Sequence, residues 1–190
     1  PAFAVDTAQL TSDLSALLRQ RITSQLEDDG YAADLVQAVA GGTVPTKRLL
    51  RDPLDVRVRI QLLRGLRDQG RLTAVQAVVQ RASRLAEKGD LPLDVLSSTE
   101  VVDPSRFESA SEKGLFDATK RLNPLAESGA YQELCDVLVE STPALEAFFD
   151  GDESVMVMAD DSALRMNRLN LLGVLRNQAA VFAQFELIQS

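Results

Sequence analysis

The chain has 190 residues, 45% hydrophobic and 25% charged, with 20 Lys/Arg against 28 Asp/Glu and a formal net charge of −8. A chain of that length buries roughly 70% of its unfolded surface, so one compact domain needs no disulfide or metal staples. The lack of histidine excludes Ser-His-Asp triads and His-ligated zinc, and a single cysteine, Cys135, excludes an internal disulfide or thiolate cage and fits a reducing compartment.

Thr7 to Asp28 places Leu10, Leu14, Leu17, Leu18, Ile22 and Leu26 at spacings of three and four, which predicts a helix stopped by Asp28-Asp29-Gly30. Tyr31 to Ala40 predicts a shorter helix on Leu35, Val36 and Val39, broken by Gly41-Gly42 and Pro45. Asp52 as cap and Pro53 as first residue open the next helix, which runs to about Gly70, and another follows from Thr73 to Lys88. The stretch Leu93 to Val102 predicts a turn or short helix at most. Asp103-Pro104 then starts a long helix ended by Ser128-Gly129. Tyr131 to Glu140 reads as helical, and Thr142-Pro143 as the cap of a separate short helix carrying Leu145, Phe148 and Phe149. The last helix starts at Asp160 or Asp161 and runs almost to Ser190, about 43 Å at 1.5 Å per residue. The expected fold is all-α, a helical bundle with a long C-terminal helix as its spine.

No run of 18 apolar residues is present and the first residues lack a basic start before an apolar stretch, so no membrane partner is expected and the cytoplasm is the expected location. A first residue other than Met points to a fragment or a processed chain. The only glycine pair is not followed by Lys-Ser/Thr, so no phosphate-cradling loop is expected. No catalytic residue and no metal ligand is assigned.

Charge is strongly uneven. Residues 47–88 hold eleven Lys/Arg against four Asp/Glu, while residues 89–190 hold seven against eighteen. Screening confines fields to about 10 Å at ordinary salt, so a local basic segment can act despite the overall sign. Helical geometry puts Arg57, Arg64 and Arg71 on one side of the third helix, with Val58, Leu62, Leu63 and Leu66 turned inward. Arg81, Arg84 and Lys88 align on the next helix beside a core stripe of Val75, Val78, Val79, Ala82 and Leu85. Two such faces can flank a phosphate backbone or pair with the acidic half of the chain. Arg59 falls inside the apolar arc and reads as a buried partner of a carboxylate.

The closing stretch carries Phe148-Phe149-Asp150, then Val155-Met156-Val157-Met158, then Asp161-Ser162-Ala163-Leu164-Arg165-Met166-Asn167-Arg168-Leu169-Asn170-Leu171-Leu172. Physically, Asp161 or Asp160 caps the helix and Asp161 pairs with Arg165 at i, i+4. Leu164, Leu171, Leu175, Phe182 and Phe185 form the core stripe, with the methionines filling gaps.

That string resembles the C-terminal end of bacterial glycyl-tRNA synthetase β subunits, an anticodon-binding domain of the type named for its Asp-Ala-Leu-Arg signature. Arg21 to Gly41, the Arg-rich segment from Asp55, and Phe107-Glu108 through Leu115 are similar to the same subunit. Gly151 to Ser154 lengthens a turn the family keeps short, and Ala183-Gln184-Phe185-Glu186-Leu187-Ile188 departs from the family's usual ending. The resemblance implies a helical region at 1–88 with a basic helix pair and an anticodon-binding bundle at 89–190, the two able to pack as one unit. It also implies glycine tRNA and a separate catalytic α subunit as partners. ATP would be used by the whole enzyme, with no cofactor held in this part. The candidate tRNA contacts are Arg165, Arg168 and Asn167 on the last helix, with Arg57, Arg64, Arg71, Arg81 and Arg84 as phosphate neighbours. The alternatives are the related domain of arginyl-tRNA synthetase, whose usual tail is missing here, and a helical protein-interaction module.

Overall fold

A computed structural model describes residues 7–189, with the backbone alone at positions 47, 50, 51 and 53. The expectation of an all-α fold holds: no strand is present among the described residues. In chain order the helices are α1 (Thr7–Asp28), α2 (Ala33–Ala40), α3 (Thr46–Arg51), α4 (Pro53–Asp68), α5 (Leu72–Ala86), α6 (Ser98–Val101), α7 (Ala110–Ser128), α8 (Tyr131–Phe149) and α9 (Ser162–Phe182), with 3-10 turns at Pro104–Arg106 and Phe185–Leu187. The short α3 was not expected from the sequence.

One apolar cluster runs through the described residues from Leu26 to Ile188, drawing on α2, α4, α5, α7, α8 and α9. α9 is its spine, with Leu171, Leu172, Val174, Leu175, Ala179 and Phe182 all buried. It is shorter than expected. The chain leaves the helix at Ala183, which is fully extended, because the Gln184 N–H reaches across to the Ala38 carbonyl at 2.9 Å. The segment beyond wraps back over α2 and α5. Gln80 donates to the Phe185 carbonyl at 2.9 Å, Gln76 to that of Ile188 at 2.6 Å, and the Gln189 N–H to Asp34 at 2.9 Å.

Two further boundaries differ from expectation. The helix forecast from Asp103 begins only at Ala110, where Ser109 and Glu112 form a reciprocal capping box; Asp103-Pro104 instead opens the 3-10 turn. α8 runs unbroken through Pro143, although proline withholds one backbone donor. Burial of Leu138, Leu145, Phe148 and Phe149 on one continuous face offsets that lost bond. α7 does end as read, at Gly129, whose φ of 70° is left-handed and closes the helix through its N–H to Leu125.

The largest departure is α1. Its helix is where the spacing puts it, but Leu10, Leu14, Leu17 and Leu18 are 47–50% exposed and only Leu26 is buried. The Arg19 guanidinium instead latches α1 to the following turn, bonding the carbonyls of Ala40, Gly41 and Val44 and the Thr46 hydroxyl. On α4 the inward face is Val56, Ile60, Leu63 and Leu66, and Val58, expected inside, is exposed. Arg59 is buried as read, its Nε 2.8 Å from Asp55 and its Nη1 3.1 Å from the Phe182 carbonyl.

Candidate nucleic-acid interface

The cations expected on α4 and α5 divide into those already held and those open to solvent. Arg57 is paired with Asp29 at 2.7 Å, and Arg67 grips both oxygens of Asp34 at 3.1 and 2.5 Å. The Arg67 bond is the first cause that holds the Asp34 carboxyl below its ordinary pKa. Arg64 is exposed and lies 4.6 Å over the Tyr31 ring, a contact that orients the guanidinium without neutralising it.

α5 presents the most continuous basic surface. Arg71 precedes its first turn, Ala74 and Ala77 follow on the exposed side, then Arg81, Arg84 and, just past the end, Lys88. The helical period sets these residues on one stripe, and the two alanines leave its middle low. From Arg71 to Lys88 the stripe is about 25 Å long at 1.5 Å per residue. Among the described residues, no ion pair engages Arg71, Arg84 or Lys88; Arg71 makes one long bond, 3.4 Å, to Gln69. Arg81 is the exception, held by Asp150 at 2.6 Å and stacked 4.7 Å over the Phe149 ring. Both Arg81 and Asp150 are substantially exposed, at 49% and 70%, so that pair is weak and exchangeable.

The closing motif does something else. Arg168 is buried, its Nε donating to Glu112 Oε1 at 2.7 Å, its Nη2 to Glu108 at 2.9 Å and its Nη1 to the Met156 carbonyl at 3.1 Å. Asn167 is buried as well and clamps Asp103, accepting from its N–H at 2.7 Å and donating to its carbonyl at 3.1 Å. Buried at 4% and 6% exposure and bonded to these internal partners, Arg168 and Asn167 offer no open surface to RNA while the fold is intact, and both leave the set of candidate contacts. Arg165 also departs from its expected pairing. Its Nη1 donates to the Ala159 carbonyl at 2.9 Å, while Asp161 spends one oxygen on the N–H groups of Ala163 and Leu164 as the helix cap. Arg165 remains half-buried at the helix start. Of the methionines expected to fill gaps, Met156 and Met158 are exposed, and Val157 takes the buried place between them.

Sequence reasoning missed the polar ladder that continues along α9. Asn170 donates to the Val101 carbonyl, Arg176 to that of Leu91, Asn177 to those of Pro92 and Val95, and Gln178 to those of Leu96 and Thr119, all at 2.7–3.1 Å. Residues 91–103 have little helix of their own, so their carbonyls need these side-chain donors. The amide spacing on a buried helix was the available signal.

Among the described residues, no group of three His, Cys, Asp or Glu is placed to hold a metal, and no helix is long and apolar enough to cross a membrane. No protein-family model matches the chain. The chain is 45% identical over 187 residues to the glycine–tRNA ligase beta subunit of Picosynechococcus sp., a match covering 94% of this chain and 26% of that subunit. Its relatives are glycine–tRNA ligase beta subunits. That of Acaryochloris marina is 42% identical over 196 residues, covering 98% of this chain and 28% of the subunit, and that of Aliivibrio salmonicida 31% over 186 residues, covering 96% and 25%. The chain thus spans about a quarter of the length of the beta subunits it matches. These relatives do not favour the arginyl-tRNA synthetase alternative.

Proposed function

We propose that this chain is the tRNA-binding, anticodon-recognising part of a glycine–tRNA ligase beta subunit. In that reading it works in the cytoplasm and supports the ATP-dependent glycylation of glycine tRNA by a separate catalytic α subunit. It carries no catalytic centre or cofactor of its own. The observation that supports it most is the open cationic stripe of Arg71, Arg84 and Lys88 on α5, joined by Arg81 and by Arg64 on α4, in a chain whose net charge is −8. That the relatives are subunits of a tRNA ligase points to RNA as the partner.

The stripe's chemistry suits phosphates. Guanidinium groups bond phosphate oxygens in a fixed fork, and each phosphate neutralised releases counterions, which supplies affinity without reading sequence. Reading an anticodon requires contacts to unstacked base edges, and Arg165 is the closing-motif arginine left with partial access. The acidic surface of α8, with Glu133, Asp136, Glu140 and Glu146 exposed and no Lys or Arg in the helix, would lie away from the RNA and suits a basic protein instead.

Filter binding of glycine tRNA, an unrelated tRNA and anticodon variants of glycine tRNA, at low and moderate salt, tests the proposal. Preference for glycine tRNA that is lost on changing the anticodon supports it. Equal binding of every tRNA, or of none, rejects anticodon recognition.

A further inference from the structure

α1 carries Leu10, Leu14, Leu17 and Leu18 on one face, each about half exposed. Spacings of four and three are those of an a/d seam, the pattern by which one helix receives another. The side of α1 that the fold uses is a different one: Arg19, Ile22 and Leu26 face α2, α3 and the core from the far side of the helical wheel. Single exposed leucines are ordinary on protein surfaces, whereas four adjoining ones in register on one helix form a patch.

We infer that this leucine seam docks against a segment of the same polypeptide lying outside residues 1–190, through an apolar helix or surface of that segment. Three observations select this occupant. First, the seam carries no cation along its length: no Lys or Arg occurs between Thr7 and Leu18, Asp13 borders Leu17 on the wheel, and Arg21 stands only at the seam's end, so a nucleic-acid backbone finds no basic surface there. Second, the patch is small. Four half-exposed leucines offer on the order of a few hundred Å², well short of the roughly 800 Å² per partner that a stable complex of separate chains buries. A second copy or a free protein would therefore hold it weakly, whereas a tethered segment acts at an effective concentration in the millimolar range and needs far less area. Third, the beta subunits this chain matches are about four times as long, so their remaining polypeptide is available to supply it. The inference does not depend on tRNA binding. In this arrangement α1 is the joint that fixes the basic stripe of α5 relative to the rest of the subunit.

The test compares the 190-residue chain, which has its own buried core, with the natural polypeptide that contains it. Hydrogen exchange of the amides of residues 7–18 should be at least about tenfold slower in the longer polypeptide. Leu14→Gln with Leu17→Gln should abolish that difference while leaving the melting of the 190-residue chain unchanged. Leu10→Gln, at the end of the seam, serves as the milder variant should the double one misfold in the longer protein, and should reduce the protection partly. Equal exchange in both polypeptides overturns the inference. So does a micromolar dimer of the 190-residue chain that the double substitution dissociates, which would assign the seam to a second copy. A natural polypeptide no longer than these 190 residues overturns it too.

Discussion

The Arg168 guanidinium and the Glu112 carboxylate, 56 residues apart, meet at 2.7 Å with side-chain exposures of 5% and 0%. The pair joins the start of α7 to the second turn of α9, and Glu112 simultaneously accepts the N–H groups of Glu108 and Ser109 at 2.7 and 3.0 Å. One carboxylate thus caps a helix and neutralises an arginine on another.

Arg168→Met should therefore destabilise the fold by about 3–5 kcal/mol, because it strands a buried carboxylate rather than because the pair itself is worth that much. Burial pushes the Glu112 carboxyl up, but the Arg168 bond and the two backbone donors outweigh it and hold the folded-state pKa below the ordinary 4.5. A depressed carboxylate contributes its stability fully above 4.5 and loses it as pH falls through the lower folded value. Asp34, held down first by its bond from Arg67, has the same sign. Melting followed from about pH 6 to about pH 3 should thus fall more steeply in the native chain than in Arg168→Met. Parallel profiles would show that the pair does not carry the acid dependence.

Two helical glycines should respond oppositely to alanine. At Gly65 in α4 a Cβ meets nothing within 4 Å, so Gly65→Ala should gain up to about 1 kcal/mol from helix propensity. At Gly173 in α9 the Cβ would sit 2.8 Å from Leu91 Cδ2 and 3.2 Å from its Cβ. The terminal methyl can swing away, but the Leu91 Cβ moves only with its backbone, which α9 itself pins through Arg176. Gly173→Ala should cost about 1–3 kcal/mol in thermal or denaturant melts.

Much of this was legible from local pattern. The alignment of Arg81, Arg84 and Lys88, the Asp52 cap and the reading of Arg59 as a buried partner of a carboxylate all follow from a single helix's wheel, and the structure agrees with each, whereas Arg71, expected beside Arg57 and Arg64, lies beyond the end of α4 and leads into α5. The roles of Arg168 and Asn167 were not legible, since their partners Glu112 and Asp103 lie over fifty residues away with no periodic signal linking them. The end of α9 was hidden for the same reason: Gln184 turns away to satisfy Ala38, a contact across the whole chain. In α1 the apolar spacing predicted the helix correctly, but period alone does not say whether a leucine face meets this core or another surface.

Cys135 should be inert in the folded chain. It is 2% exposed, and burial pushes its thiol up to about 12, leaving almost no thiolate at neutral pH. A thiol reagent should modify it only under denaturing conditions, which gives a direct assay of unfolding. Rapid stoichiometric labelling of the native chain would contradict its placement in the core.

Whether α5 offers its cations to phosphates is read from the salt dependence of glycine tRNA binding. Arg84→Ala with Lys88→Ala removes two exposed, unpaired cations and should change stability by no more than about 0.5 kcal/mol. If both meet phosphates, affinity should drop at low salt. The slope of log affinity against log salt should then become shallower by about 1.4–1.8, at 0.7–0.9 per contact. A slope identical to that of the native chain, in a variant that melts normally, would mean that the stripe faces solvent or protein and not RNA.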